Sequence, residues 1–150
     1  MSSIENITKN NILKILGKDI VDSWDESGMF YIEIRQNSLI RSLTTLSNNN
    51  SLLFSMLIDC FMVDHTRKNG RLSIYYILYS NALKNRICVV SDIQEDEHAQ
   101  SISIIFQNAI WYEREIFDMF GIVFDRNPDM RRILLNYDDN SHPLRKKRKY

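Results

Sequence analysis

The sequence contains only four glycines, two prolines and two cysteines in 150 residues. Cys60 and Cys88 stand far apart with no CxxC pair, and the three histidines are scattered, which is not the spacing of a zinc or redox centre. We therefore expect two reduced thiols in the core and no bound metal or other cofactor. The sequence also has no glycine-rich loop of the kind that binds a dinucleotide.

Long apolar runs and an excess of one charge are absent as well. No run approaches the roughly 20 apolar residues that a membrane-spanning helix needs. The first residues, MSSIENITKNN, have neither the apolar region of a signal peptide nor an arginine-rich presequence. Lys plus Arg equals Asp plus Glu at 19 each, so overall charge attracts neither nucleic acid nor an anionic surface. If the protein works at a membrane, we expect it to lie at the surface.

The remaining composition is that of an ordinary globular domain, with 44% hydrophobic and 25% charged residues. No repeat, linker or change of composition divides the chain, so we predict one domain over residues 1–150. The pattern of elements predicts an α+β fold. In this fold, helices cover a small, mainly antiparallel or mixed sheet, and an extended C-terminal segment follows.

The predicted elements follow from hydrophobic periodicity and from turn residues. The apolar run 52–63 fits either a buried strand or a buried helix, and its periodicity does not separate the two. The predicted helices are 4–16, 38–47 with Ser38 as its cap, 101–120, and a short turn at 129–134 that begins with Asn127 and Pro128. The predicted strands are 29–34, 71–80 and 85–90, with an acidic loop at 92–97.

The stretch WYEREIFDMFG, residues 111–121, packs charged residues among aromatic ones. At 100° per residue, Glu113 falls on the apolar face of the predicted helix, where an ionised carboxylate needs a cation or strong hydrogen bonds. Arg131 and Arg132 in the following turn are the predicted partners, one of them pairing with Glu113 to fix the fold. Gly121 fits the left-handed position that ends a helix.

The opposite face of this helix carries Trp111 among the charged side chains of Arg114, Glu115 and Asp118. An exposed tryptophan beside arginine and carboxylates is typical of the energetic centre of a protein interface, and we predict such a surface here. A solvated face with an Arg114–Asp118 pair is the plainer interpretation. Catalysis by Glu115 and Asp118 is a further alternative, but no nucleophile arrangement accompanies them.

A basic run, RKKRK at residues 145–149, lies near the end of the sequence. Contact with RNA through this run makes a small RNA-binding module the alternative function from another class. A terminal basic run is more often a solvated end or an arm that docks on another protein. His142 is expected to pack or to form a hydrogen bond, not to bind a metal.

The ordered motifs of the C-terminal third resemble the C subunit of the proton-pumping NADH:quinone oxidoreductase, respiratory complex I. This protein is also called the 30-kilodalton subunit, or subunit 9 when mitochondria encode it. The family pattern has an ERE-x-[FY]-D-[ML]-[FY]-G-I helix, then HPDLRRIL, then GHP-LRKD-[FY]. The matching stretches here are EREIFDMFGI at 113–122, PDMRRIL at 128–134 and HPLRK at 142–146.

The resemblance covers residues 30–146, with less detail before residue 100. Asn127 stands where the family usually has histidine, and Ser141 stands where it usually has glycine. KRKY replaces the usual acidic and aromatic continuation after Lys146. The replaced continuation alters the part of the interface that the family's tail forms, while the core signature is kept.

The resemblance implies a structural and assembly subunit of the hydrophilic arm, with no catalytic residue, flavin or iron–sulfur cluster of its own. It implies packing against the D (49 kDa) subunit that bears the quinone site, near the B- and I-type cluster subunits, and no nucleic-acid partner. The location would be peripheral, on the matrix side of the mitochondrial inner membrane or the cytoplasmic face of a bacterial inner membrane. The implied interface residues are Trp111, Arg114, Glu115, Asp118, His142, Pro143 and Arg145.

Related subunits occur in membrane-bound hydrogenases and in the photosynthetic NDH complex, so the resemblance leaves the parent complex open. The identity of the electron donor separates these alternatives. Proteins that co-migrate after mild detergent extraction separate all of them from a free RNA-binding module.

We predict that the purified chain shows no flavin or cluster absorption and oxidises no NADH on its own, because its cysteine spacing is not that of cluster ligands and a dinucleotide loop is missing. The measurement is a visible absorption spectrum after gel filtration, with an NADH oxidation assay on the same fraction. A visible band that stays with the protein through gel filtration would contradict this prediction.

Overall fold

A computed structural model describes residues 3–65 and 71–146 of the chain. The helices are α1 (Ser3–Leu16), α2 (Gln36–Asn48) and α3 (Ala109–Phe120), and a short 3-10 helix (Gly17–Asp19) follows α1. The strands are β1 (Ile20–Glu26), β2 (Met29–Ile34), β3 (Met56–Asp64), β4 (Leu72–Ser80), β5 (Asn85–Ile93), β6 (Ala99–Gln100) and β7 (Phe124–Asp125).

Five of the strands form one sheet in the order β1-β2-β5-β4-β3. Neighbouring strands run antiparallel except β2 and β5, which are parallel. A second, two-stranded parallel sheet joins β6 to β7. The predicted α+β fold with a mainly antiparallel, mixed sheet is therefore confirmed.

One hydrophobic core joins the sheet to all three helices. Side chains alternate between the two faces of a strand, and the inward set of β4 is fully buried. These inward residues are Leu72, Ile74, Tyr76 and Leu78. The helices contribute Ile12 and Leu16 from α1, Leu39, Leu43 and Leu46 from α2, and Ala109, Ile116 and Phe120 from α3. A single core of this kind makes the described chain one small domain.

Strand β1 was not predicted, because its sequence IVDSWDE is rich in Asp and Ser, which are uncommon in strands. Ser27 and Gly28 connect it to β2, with φ of 51° and 78°. Two central residues with positive φ form the type of tight turn that favours a hairpin. The Ser-Gly pair was the available signal for this hairpin.

The ambiguous apolar run is a strand, β3, which begins at Met56. Helix α2 starts at Gln36 and not after a Ser38 cap; the Ser38 hydroxyl donates instead to the side-chain oxygen of Asn37. Strand β5 continues to Ile93, so the acidic loop is shorter than predicted. Both cysteines are buried free thiols, as expected.

The predicted helix 101–120 is wrong in its first half, because α3 begins only at Ala109. The Ile102 N–H and the Ser101 hydroxyl both donate to the Glu113 carboxylate, at 2.8 and 2.7 Å. These bonds turn residues 101–108 back toward the helix, so they do not extend it at its N-terminus.

The predicted helical turn 129–134 is also wrong. Its carbonyl groups at Arg131 and Arg132 accept hydrogen bonds from Arg114, and the N–H groups of residues 133–135 donate to Asp118. The backbone groups that a helix would pair internally are thus bonded to α3.

The C-terminal segment does not extend away from the domain. Residues 126–146 contain no helix or strand and return to the sheet, where the Lys146 N–H donates to the Asp64 carboxylate at 2.7 Å. Residues 147–150, with the rest of the predicted basic tail, lie outside the described residues. Within the described ranges, none of the helices has the length and apolar character to span a membrane.

Candidate functional site

Helix α3 is fixed to strand β3 at its first turns and ends in a left-handed residue. The Asn108 amide donates to the Leu57 carbonyl, and the Tyr112 hydroxyl donates to the Ile58 carbonyl, each at 2.9 Å. Gly121 has φ 76°, and its N–H donates to the Phe117 carbonyl at 2.8 Å. The predicted helix end at Gly121 is confirmed, and the helix is held in place for the contacts below.

Asp118 is completely buried, although it was predicted to be a surface residue. Its Oδ2 accepts the backbone N–H groups of Ile133, Leu134 and Leu135 at 3.1, 2.7 and 2.9 Å, and its Oδ1 accepts from Arg132 at 2.7 Å. Burial acts to raise the pKa of the carboxyl, but these hydrogen bonds outweigh it and lower the pKa to about 2. The carboxylate is therefore ionised at neutral pH.

Arg114 is also buried, at 6% exposure, and binds the same segment through its carbonyl groups. Its Nε donates to the Arg131 carbonyl and its Nη2 to the Arg132 carbonyl, both at 2.9 Å. Its Nη1 lies 3.3 Å from an Asp129 oxygen. We call Arg114 and Asp118 the α3 clamp, because Arg114 binds the carbonyls of residues 131 and 132 and Asp118 binds the N–H groups of residues 133–135. We call residues 131–144 the clamped segment; its far end also bonds α3, through the Leu144 N–H and the Met119 carbonyl.

The expected pairing of Glu113 with Arg131 or Arg132 is wrong. Arg132 pairs with Asp118, and Arg131 pairs with Asp129 at 2.5 Å. Helix α3 presents Asp118, not Glu113, to this part of the segment, which explains the exchange of partners.

Glu113 is fully buried and is bound by neutral donors instead. The Ser101 hydroxyl and the Asn127 amide donate to its Oε2 at 2.7 and 2.6 Å, and the Ile102 N–H donates to its Oε1. Burial raises the pKa of this carboxyl, and the three hydrogen bonds offset only part of that effect. Asn127, expected to cap a helix, also accepts the Asp129 N–H.

His142 packs and forms a hydrogen bond where α3 ends, as predicted. Its Nδ1–H donates to the Asp118 carbonyl at 3.1 Å, and its ring meets Phe117 edge-on at 6.2 Å. A Cβ on Gly121 would lie 2.7 Å from the ring, so the close approach and the positive φ both require glycine. Arg145 donates to the Glu95 carbonyl at 2.9 Å.

Three of the predicted interface residues are exposed, namely Trp111, Glu115 and Pro143, and two more, His142 and Arg145, are half-buried. Trp111 is 59% exposed, and its ring stacks on the Arg114 guanidinium at 5.1 Å. The alternative of a catalytic pair requires Glu115 and Asp118 on the same exposed face of α3. Asp118 is buried and Glu115 is exposed, so the helix does not present them together.

Sequence reasoning missed several residues of the site. Ser101 and Asn127 bind Glu113, and the only signal for them was the rule that a buried carboxylate needs donors. The exposed apolar side chains of the clamped segment were also missed, because a loop has no periodicity to reveal them. These side chains are Ile133, Leu134, Tyr137 and Leu144.

A family profile described as the 30 Kd subunit of respiratory-chain NADH dehydrogenase matches residues 32–150. The chain belongs to this family. The match includes α3, the clamped segment, strands β3, β4 and β5 and the second half of β2, so the predicted membership is confirmed over most of the sequence.

Curated members of the 30 Kd subunit family are similar along most of this chain. The C subunit of the NADH-quinone oxidoreductase from Ruegeria pomeroyi is 36% identical over 135 residues, which cover 89% of this chain and 68% of the relative. NADH-ubiquinone oxidoreductase subunit 9 of Reclinomonas americana is 34% identical over 136 residues, covering 91% and 67%. Across such relatives, this chain spans 51% to 72% of their length.

A solved structure shows the same fold. It is a chain of the membrane-bound sulfane sulfur reductase, described as an archaeal respiratory membrane complex, with a TM-score of 0.75. The match covers 91% of this chain and 79% of the other, at 21% identity, which establishes likeness of fold.

We predict that Asp118→Asn destabilises the folded chain by about 3 to 5 kcal/mol, because an amide cannot accept all the bonds made to a buried carboxylate. The ionised carboxylate contributes fully above its ordinary pKa of 3.8, and this contribution is lost as pH falls toward about 2. Denaturant unfolding from pH 7 to pH 2 should therefore show the difference from the wild type shrinking below about pH 4. Glu115→Gln, an exposed change on the same helix, is the control and should alter little.

We predict the opposite pH dependence for Glu113→Gln, whose cost should be about 1 to 2 kcal/mol at low pH because one acceptor oxygen is lost. The raised pKa means that ionising Glu113 costs stability as pH rises above 4.5, so the wild type should lose part of its advantage over the variant there. Glu113→Ala should cost more at every pH, since it leaves several buried donors unpaired. Unfolding curves that show the same cost for Gln at pH 4 and pH 8 would refute this account.

Proposed function

We propose that the chain is a structural, non-catalytic subunit of the hydrophilic arm of a proton-pumping NADH:quinone oxidoreductase, and that it packs on the D subunit, which bears the quinone site. Family membership supports the parent complex. The observation that carries the assembly role is the α3 clamp, which holds an irregular segment with exposed apolar side chains against a rigid helix.

The clamped segment has the composition of a docking surface. Leu134, Tyr137 and Leu144 are 62%, 71% and 53% exposed. Single exposed apolar residues are ordinary, but several on one ordered segment beside an exposed tryptophan indicate a protein contact. Because buried hydrogen bonds order the backbone before binding, little conformational entropy is lost when a partner docks.

Trp111 is the proposed anchor of this surface. Its ring lies over the guanidinium of Arg114, which is itself held by two backbone carbonyls. A tryptophan supported in this way presents a large, fixed, partly apolar surface to a partner. Glu115 and Pro143, both exposed, are the proposed neighbours at the edge of the same contact.

The charges of the signature support structure over catalysis. Glu113, Arg114 and Asp118 are buried, and each is bonded to backbone or side-chain groups of this chain. In this proposal they set the position of the docking segment, and electron transfer proceeds in neighbouring subunits, including the B- and I-type cluster subunits.

The start of the basic run also favours protein docking over RNA binding. Arg145 bonds the Glu95 carbonyl, and the Lys146 backbone N–H bonds Asp64, so both residues lie against the domain. We place the protein peripherally, on the matrix side of a mitochondrial inner membrane or the cytoplasmic face of a bacterial one. Isolation of the tagged chain in mild detergent tests the complex: co-purifying cluster subunits with NADH-driven quinone reduction support it, whereas another electron donor indicates a related complex.

We predict that Trp111→Ala leaves the isolated domain folded, at a cost of about 1 kcal/mol or less for the lost ring contact. Association with the complex should weaken by about 2 kcal/mol, roughly thirtyfold in Kd. The measurement is competition between differently tagged variant and wild-type chains for incorporation into the complex.

Ile7→Ala is the matched control, because Ile7 on α1 is 60% exposed, nearly as much as Trp111. Loss of the folded state in isolated Trp111→Ala would show that the tryptophan belongs to the core. Equal loss of incorporation in both variants would show that Trp111 has no special role.

A further inference from the structure

The face of the five-stranded sheet that points away from the helices is unusually apolar. Cys88 and Val90 on β5 are 1% and 3% exposed. Neither belongs to the core cluster formed by the inward side chains and the three helices. An antiparallel sheet with one face on the core usually carries polar residues on the other face. We call the outward side chains of this sheet the open face.

The strand register shows that two rows of side chains cross the open face. In the first row, Trp24 pairs with Tyr31, which pairs with Cys88, which pairs with Ile77. The Trp24 and Tyr31 rings stack at 5.3 Å with an interplanar angle of 7°. The first row is therefore apolar and aromatic from β1 to β4, and it ends at Asp59 on β3, which pairs with Ile77.

The second row runs beside the first and ends in carboxylates. Phe61 pairs with Tyr75, which pairs with Val90, which pairs with Glu33. The Phe61 and Tyr75 rings stack at 5.1 Å and are parallel, with an interplanar angle of 0°. Phe61 is 38% exposed. Together the rows form an aromatic surface over most of the sheet, of the composition found at interface centres.

One side of the open face is acidic. Asp22 on β1 lies directly opposite Glu33 on β2, and Glu26 on β1 lies opposite Met29. Like charges directly opposite each other on neighbouring strands destabilise the sheet. Burial raises the pKa of Glu33, the charge of Asp92 raises it further, that of Arg71 lowers it, and that of Asp22 raises it. The directly opposed carboxylates of Asp22 and Glu33 thus keep a like-charge contact that a cation from a partner would relieve.

We propose that the open face binds a second protein of the same complex, whose contact surface is apolar at its centre and carries lysine or arginine where it meets β1 and β2. This surface is separate from the one formed by Trp111 and the clamped segment. The stacked rings of the open face would contact the apolar centre of the partner's surface. Asp22, Glu26 and Glu33 would pair with the lysine or arginine side chains of the partner. The inference rests on the proposed function, since the partner belongs to that complex.

Charge disfavours other occupants of the open face. If two copies met through their open faces, the described part of each copy could offer only Arg86 and Arg71 to the carboxylates of the other. Arg71 already pairs with Asp92 of its own chain at 3.1 Å. That leaves too few cations among the described residues of these strands to neutralise three carboxylates. Nucleic acid would be repelled by the same carboxylates.

The test compares the intact complex, isolated through a tag on the full chain, with the free chain. Carbodiimide coupling of glycine amide labels accessible carboxylates, and hydroxyl radicals label accessible aromatic rings. We expect the complex to contain one copy of the chain. In that complex, labelling of the carboxylates Asp22, Glu26 and Glu33 and of the rings of Phe61 and Tyr75 should be at least fivefold lower than in the free chain. Equal labelling in both samples, or protection in the free chain through self-association, would overturn the inference.

Glu33→Gln adds a functional readout that separates interface from fold. The thermal midpoint of the isolated variant should be equal to or above that of the wild type, because a like-charge contact is removed, while incorporation into the complex should fall at least fivefold. Asp96→Asn, an exposed change in the acidic loop, is the control and should be incorporated normally. Normal incorporation of Glu33→Gln would overturn the inference alone, whereas recovery of the tagged wild-type chain without any complex would contradict the proposed function as well.

Discussion

The buried carboxylate of Asp118 fixes the path of the chain that follows helix α3. Removing a carboxylate from water is costly, and the cost is met here by three successive backbone N–H groups and a guanidinium. The N–H groups of residues 133–135 cannot bond within a helix and to Asp118 at the same time. Bonding to the carboxylate therefore stabilises the irregular backbone conformation over a helical one. The clamped segment, the His142 contact with α3 and the proposed docking surface all follow from that conformation.

Glu113 and Asp118 show that two buried carboxyl groups on the same helix can have pKa values shifted in opposite directions. Both side chains are fully buried, yet the pKa of Asp118 is lowered and that of Glu113 is raised. Asp118 has an arginine among its donors, whereas the hydroxyl, amide and backbone N–H that reach Glu113 are neutral. At Asp118 four hydrogen bonds, led by the Leu135 N–H and then the Arg132 guanidinium, outweigh burial, whereas at Glu113 three hydrogen bonds offset only part of the effect of burial. Glu113 therefore orients residues 101–102 through hydrogen bonds, while burial raises the pKa of its carboxyl.

The sequence predicted features with a local cause and missed those with a distant one. Gly121 ends α3 as predicted, because the left-handed position depends on one residue. The burial of Glu113 also followed from the periodicity of its own helix. Its partners did not, because Ser101 and Asn127 reach it from separate turns. The helical turn expected after Pro128 failed for the same reason: its capping signal was real, but side chains of α3 took the backbone groups that the turn required.

The parallel contact between β2 and β5 has a consequence for the order of folding. The Ser91 hydroxyl donates to the Ile34 carbonyl across 57 residues, whereas β3, β4 and β5 are joined by short connections. Loop-closure entropy favours the β3–β4–β5 meander first and the central parallel pair later. During synthesis the β1–β2 hairpin emerges from the ribosome well before β5, so one edge of β2 waits unpaired until most of the domain has been translated. The nascent chain is most exposed to wrong strand pairing in that interval.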